Sequence, residues 1–156
     1  MTTEKPPAKT DGESMKVLVD TNVLLDYFLT RKPFFEAANK MFLSCLFTLQ
    51  GYIASHTFVD LFYQMHERSG KSVEYCRNTF LKLCQIFEVC SIDKQRIIDA
   101  SQNLEFNDFE DSLQNACASY SGVDYIITRN ADDFESATVP VISPEDFARL
   151  MVDNQA

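Results

Sequence analysis

The side chains with the most chemistry in them are Asp20, Asp60, Asp108, Asp111, Asn130, Asp132 and Asp133. All offer oxygen, and no His or Cys is read into the set. Carboxylates that converge on one cleft repel one another. Some must stay protonated unless a cation sits between them. Hard oxygen donors of this kind suit Mg²⁺ or Mn²⁺. One or two such ions can activate water and stabilise the leaving group of a phosphodiester. Asp20, Asp60, Asp111 and Asn130 are the catalytic candidates. Asp20, Asp108, Asp111, Asp132 and Asp133 are the metal candidates.

Each of these residues has a simpler reading. Asp20 could cap the helix that follows it. Asp60 could be a solvated helix residue. Asp108 could be an N-cap, with Glu110 facing solvent. One of Asp132 and Asp133 suits a turn. Asp26, Asp93 and Asp99 are assigned to surface or capping roles. What favours a site is coincidence: the candidates fall at strand exits or first helical turns.

The elements that would position them follow from the pattern. KVLV (16–19) is a continuous apolar run, as in a strand covered on both faces. TNVLLDYFL reads as a helix from Thr21 or Asn22. PFFEAANKMFLSCLF reads as a helix opened by Pro33. YIAS is a strand, and SHTFVDLFYQMHER a helix capped by Ser55, with Phe58, Leu61, Phe62 and Met65 on one face. SVEYCRNTFLKLCQI is a helix, FEVCSI a strand, and DKQRIIDASQNL a helix started by Asp93. DFEDSLQNACASYSG is a helix with Leu113, Ala116, Cys117 and Tyr120 inward and Gly122 as its stop. DYIITRN and TVPVIS are strands, and SPEDFARLMV carries a capping pattern. Strands alternating with helices predict a parallel sheet between helix layers. Ligands in such folds sit beyond the carboxyl ends of the strands.

Composition sets the limits. The chain has 156 residues and is 46% hydrophobic, enough for one domain with a core. The reading places a flexible lead-in at 1–14 and the domain at 15–156. The lead-in shows no secretory pattern, and no apolar run is long enough to span a membrane. The cysteines lack CxxC spacing and suit a reducing, cytoplasmic setting. His56 and His66 show no zinc pattern and take surface or capping roles. The net charge is −9. That is a poor match to a polyanion unless a bound metal reverses the local field. Arg31, Lys32 and Arg129 would add positive charge beside a substrate.

VDTNVLLDYF, SHTFVDLFY, DFEDSLQNACA and DYIITRNADDF, in that order, resemble the successive motifs of the PIN-domain family. The resemblance spans 16 to about 147. It implies a three-layer α/β/α sandwich with a central parallel sheet and a Mg²⁺- or Mn²⁺-dependent endoribonuclease. Many small bacterial members are VapC-like toxins restrained by an antitoxin. Matched to those motifs, Asp20 would ligate metal directly. Asp60 stands where glutamate is usual and would reach metal through water. Asp111 matches the acid that opens the helix, with Asp108 assisting. Asn130 replaces an aspartate frequent after the TR pair, so Asp132 or Asp133 would supply that carboxylate. Thr21 and Asn22 would orient Asp20 or a bound water, and with Arg31 and Arg129 are the substrate-binding candidates. The implied partners are an RNA substrate, an antitoxin and a second copy of the chain. TFVDLFYQM and the helix at 34–47 are the candidate contacts. A catalytically weak binding module is the alternative. A receiver-like phosphoacceptor is disfavoured because TRNADD lacks its lysine.

Overall fold

The computed structural model describes residues 12–153. The expected lead-in at 1–14 therefore falls almost wholly outside the described residues. Five parallel strands form one sheet: β1 Lys16–Val19, β2 Gln50–Ala54, β3 Glu88–Cys90, β4 Tyr125–Ile127 and β5 Val141–Ile142. Their spatial order is β3-β2-β1-β4-β5. The chain thus builds outward from β1 in one direction, then returns and builds in the other. The order reverses between β1 and β4, and a crevice opens there at the carboxyl ends of the strands.

Alternation along β1 assigns the layers. Val17 and Val19 face one way. They join a core with α1 (Thr21–Phe28), α2 (Phe35–Phe47), α3 (Thr57–Phe62), α4 (Val73–Ile86) and Phe147 of α7 (Pro144–Asp153). Leu18 faces the other way and packs with Ile126 and with Ala118 of α6 (Phe109–Ser121). Ala54 and Cys90 meet Cys117 on that same side. There α5 (Lys94–Gln102) lies against α6, and Ser112 donates to the Ala100 carbonyl at 2.9 Å. The result is the expected three-layer α/β/α sandwich. Gly51 on β2 is required by packing: a Cβ there would lie 2.5 Å from the Phe87 ring.

Several local expectations are corrected. Pro33 does not open α2, which starts at Phe35 behind Phe34. Ser55 does not cap α3; its hydroxyl accepts the Ile92 N–H at 3.2 Å, and His56 occupies the cap position. The α3 helix widens into a π-helical turn at Tyr63–Arg68, which keeps Met65 fully buried. Tyr120 does not face inward. It is exposed, with the Arg96 guanidinium 3.6 Å above its ring. Asp26 is not a surface residue: it is 1% exposed. Asp93 does cap α5, accepting from the Arg96 N–H, and Gly122 ends α6 at φ +63°. No helix of the described residues is long and apolar enough to cross a membrane. The expected contact helices do expose apolar groups: Leu43, Leu46 and Phe47 on α2, and Val59 and Tyr63 around α3.

Candidate functional site

The Asp20 carboxylate ends β1 at the reversal point and is almost fully buried. Its backbone N–H is tied to β4 through the Ile127 carbonyl at 3.0 Å. Oδ1 accepts from the Thr21 N–H (2.7 Å) and from Gln114 Nε2 (3.2 Å). Oδ2 accepts from the Thr128 hydroxyl (2.7 Å) and from Asn22 Nδ2 (2.9 Å). Thr128 is itself fixed, because its Oγ1 accepts from Asn22 (3.2 Å) and from the Asn130 N–H (3.1 Å). Burial pushes the Asp20 carboxyl above its ordinary range, and the nearby Asp133 adds to this. The bonds from Thr128 and Thr21, and the charge of Arg129, pull the other way. Asp20 is thus both a helix cap and a rigidly aimed carboxylate.

The first turn of α6 supplies the next groups. Asp108 is the N-cap, accepting from the Glu110 N–H (2.8 Å) and the Asp111 N–H (3.3 Å). Consecutive helical residues point about 100° apart, so Glu110 and Asp111 flank the buried face on opposite sides. Asp111 turns into a cleft of about 290 Å³ that it lines with Asp108, Asp132 and Asp133. Its carboxyl is pushed up to about 7, first by burial and then by the charges of Asp20, Asp108 and Asp133. Glu110 faces solvent only in part: its side chain is 42% exposed, and its carboxylate also turns toward α1 and α3. Its Oε1 takes a 3.3 Å bond from the Thr21 hydroxyl, which also meets the Thr57 hydroxyl at 3.0 Å. Its carboxyl is pushed up to about 8 by burial, then by Asp60 beside it and by Asp20.

Asp60 lies on α3 and is absent from the lining of the acidic cleft. It gathers instead with Glu110 and His56; one ligand atom from each lies within 4.8 Å of the others. The sequence reading missed Glu110 and His56 as site residues. It also missed Gln114, which is fully buried one turn beyond Glu110 and bonds Asp20, Thr21 and Thr57. The signal in the sequence was the i, i+4 spacing of Glu110 and Gln114 on one helix face; the burial of Gln114 is visible only in the fold. Asn130 is exposed and does not line the cleft; its backbone, not its side chain, holds Thr128. Asp132 and Asp133 both line it, and Asp133 is the one whose charge acts on both Asp20 and Asp111.

The cationic candidates are largely committed. Arg129 Nε bonds Asp26 Oδ2 at 2.7 Å, and its guanidinium stacks 4.2 Å over Phe34. Arg31 stands 4.0 Å from the same carboxylate. Lys32 is exposed. The acids therefore face one another with little compensation, although the charge of Arg129 still reaches Asp20.

A family model for the PIN domain matches residues 16–132. Solved structures share the fold. A toxin–antitoxin complex from Klebsiella pneumoniae superposes with a TM-score of 0.63 at 20% identity, over 82% of this chain and 97% of that one. The sarcin-ricin loop cleaving toxin VapC20 of Mycobacterium tuberculosis gives 0.65 at 14% identity, over 80% and 98%. VapBC2 of Rickettsia felis, bound to a DNA fragment from its promoter, gives 0.62 at 14%, over 83% and 98%. No curated protein matches the sequence.

Proposed function

The chain belongs to the PIN-domain family, and from that premise we propose that it is a metal-dependent endoribonuclease, the toxin of a toxin–antitoxin pair. The observation that carries the reading is that Asp108, Asp111 and Asp133 line one cleft and that the charge of Asp20, at the end of β1, acts on Asp111 there, so that three separate stretches of chain meet at the reversal point of the sheet.

The residues fit a divalent ion. The donors are hard oxygens. Asp111 is held far above an ordinary aspartate, first by burial and then by the charges of Asp20, Asp108 and Asp133, and a cation among them would relieve that repulsion. Asp20 and Asp111 would hold the ion, with Asp133 and Asp108 completing the oxygen set directly or through water. Mg²⁺ or Mn²⁺ bound there would supply an activated water and neutralise the phosphate. The chain's own part is positioning. Thr128, the Thr21 N–H and Gln114 keep Asp20 in one orientation. Each Asp20 oxygen already takes two donors, so ligation must displace one of them. Asn22 is the apt one to leave, because its own Oδ1 is buried without a partner. Swinging away from Asp20, its amide would be available to a water or a phosphate oxygen. Arg129, anchored on Asp26, holds positive charge at the rim without swinging.

The cleft is lined by acids, so RNA approach depends on the ion. The reading of a weak or inactive module rests on the aspartate at 60, the asparagine at 130 and the acidic net charge; Asp60 and Asn130 stand outside the cleft lining. The structures that share this fold include a toxin–antitoxin complex, which supports an antitoxin partner for this chain. The apolar groups exposed on α2 and around α3 suit that contact or a homodimer.

Asp20→Asn tests the proposal. The amide keeps the shape but removes charge and ligand strength. The purified variant should remain folded by circular dichroism and lose RNA cleavage in Mn²⁺ by about 10²-fold or more. Cleavage at the parent rate would refute the assignment.

A further inference from the structure

Outside the acidic cleft, two helices bring a mixed set of donors together. His56 precedes α3, Asp60 lies in its first turn, and Glu110 lies in the first turn of α6. One donor atom from each falls within 4.8 Å of the others. Helical geometry places the first two on one face, four residues apart.

The hydrogen bonding around this set is incomplete in a specific way. Both ring nitrogens of His56 are shielded from solvent and have no hydrogen-bond partner among the described residues. Nε2 stands 3.8 Å from Glu110 Oε1, too far for a hydrogen bond. Buried polar atoms are nearly always bonded, so an orphan needs a reason. Gln114 adds an independent orphan. It is fully buried, its amide nitrogen reaches Thr57 and Thr21 next to Glu110, and its Oε1 has no partner. A proton shared between Asp60 and Glu110 would settle the two carboxylates. It would leave both imidazole nitrogens and the amide oxygen unmatched.

We propose that His56, Asp60 and Glu110 form a second divalent-cation site, one that takes an ion accepting an imidazole nitrogen, Mn²⁺ or Zn²⁺ in preference to Mg²⁺. Imidazole with carboxylates suits such ions, whereas Mg²⁺ keeps to oxygen. Neither imidazole nitrogen is spent on a hydrogen bond, so a ring lone pair is available to an ion. Three protein donors leave positions open for water or for a phosphate oxygen. The inference deepens the nuclease reading, since Asp60 is an acid of the family motif, but it relies on His56 and Glu110, which that motif does not supply.

Pulsed electron paramagnetic resonance on the protein loaded with Mn²⁺ reads the site without an activity assay. The chain has two histidines, and His66 Nδ1 is already engaged, 2.7 Å from the Lys71 carbonyl oxygen. The parent protein should show nitrogen modulation from a directly bound imidazole. His56→Gln should abolish it and lower the Mn²⁺ stoichiometry by one ion. Glu110→Gln should weaken that ion by about tenfold or more. Competition with excess Mg²⁺ should displace the nitrogen-free ion first. Absence of nitrogen modulation in the Mn²⁺-loaded parent, or its persistence in His56→Gln, overturns the proposal. Asp111→Asn separates the two readings: it should remove the nitrogen-free ion and keep the modulation. If it leaves both ions in place, the nuclease site has been misassigned and the His56 site stands.

Discussion

Asp111→Asn should make the metal-free protein more stable at alkaline pH. Among the described residues the Asp111 side chain has no hydrogen-bond partner to lose; its backbone N–H donates to Asp108. Its carboxyl sits at about 7, against an ordinary aspartate near 3.9. A displacement of about 3 in pKa corresponds to roughly 4 kcal/mol. The side chain is only half-buried, so solvent screening reduces this to about 2 kcal/mol. The sign follows from the direction. A carboxyl raised in the folded state contributes stability that is complete below the unfolded value near 4, and loses it as pH rises through 7. The parent should therefore weaken by about 2 kcal/mol between pH 4 and pH 8 on account of this group, and Asp111→Asn should not. In a thermal melt with chelator at pH 8, the variant should unfold about 4–8 °C above the parent. The two curves should converge at pH 4. Added Mn²⁺ should narrow or reverse the gap at pH 8, because the parent binds the ion more tightly. A variant that melts at or below the parent temperature at pH 8 in chelator would refute the claim that the acids repel one another across the cleft.

Thr128→Val keeps volume but deletes the shortest side-chain donor to Asp20 and the acceptor for Asn22 and the Asn130 N–H. Urea unfolding at pH 7 should show a loss of about 2–3 kcal/mol, with RNA cleavage falling alongside; an unchanged midpoint would count against the network. Gly51→Ala places a methyl 2.5 Å from Phe87 and 3.0 Å from Cys45 Sγ. It should cost about 1–3 kcal/mol in the same measurement while leaving Mn²⁺ affinity unchanged.

Much of this was legible in the chain. A doubly covered strand ending in an acid was visible at KVLVD because burial on both faces forbids alternation. The caps at Asp93 and Asp108 and the stop at Gly122 were visible because caps are local chemistry. The rotation of α6 was harder. Tyr120 was read inward by spacing alone, yet the Arg96 guanidinium draws the ring outside. The same uncertainty sent Glu110 wholly to solvent, although the buried Gln114 fixes that side of the helix against Thr21 and Thr57. His56 was dismissed for want of a zinc pattern. The i, i+4 spacing does bring Asp60 to His56, but Glu110 arrives from α6, and no spacing reports that meeting. The π-helical turn after Phe62 also lay beyond reach, since it breaks the period on which helix reading depends. Asp26 looked peripheral because its partner stands far along the chain at Arg129.

That last pair has a mechanical consequence. Asp26 is near the end of α1, and Arg129 begins the loop that carries Asp132 and Asp133. The bond between them works like a locating pin: it indexes the acidic loop to the first helix, on the opposite side of β1 from α6. Changes near the far end of α1 that never touch the mouth should be transmitted to Asp133 through this pin, so one helix, capped by Asp20 at one end and pinned at the other, aligns acids on both sides of the mouth.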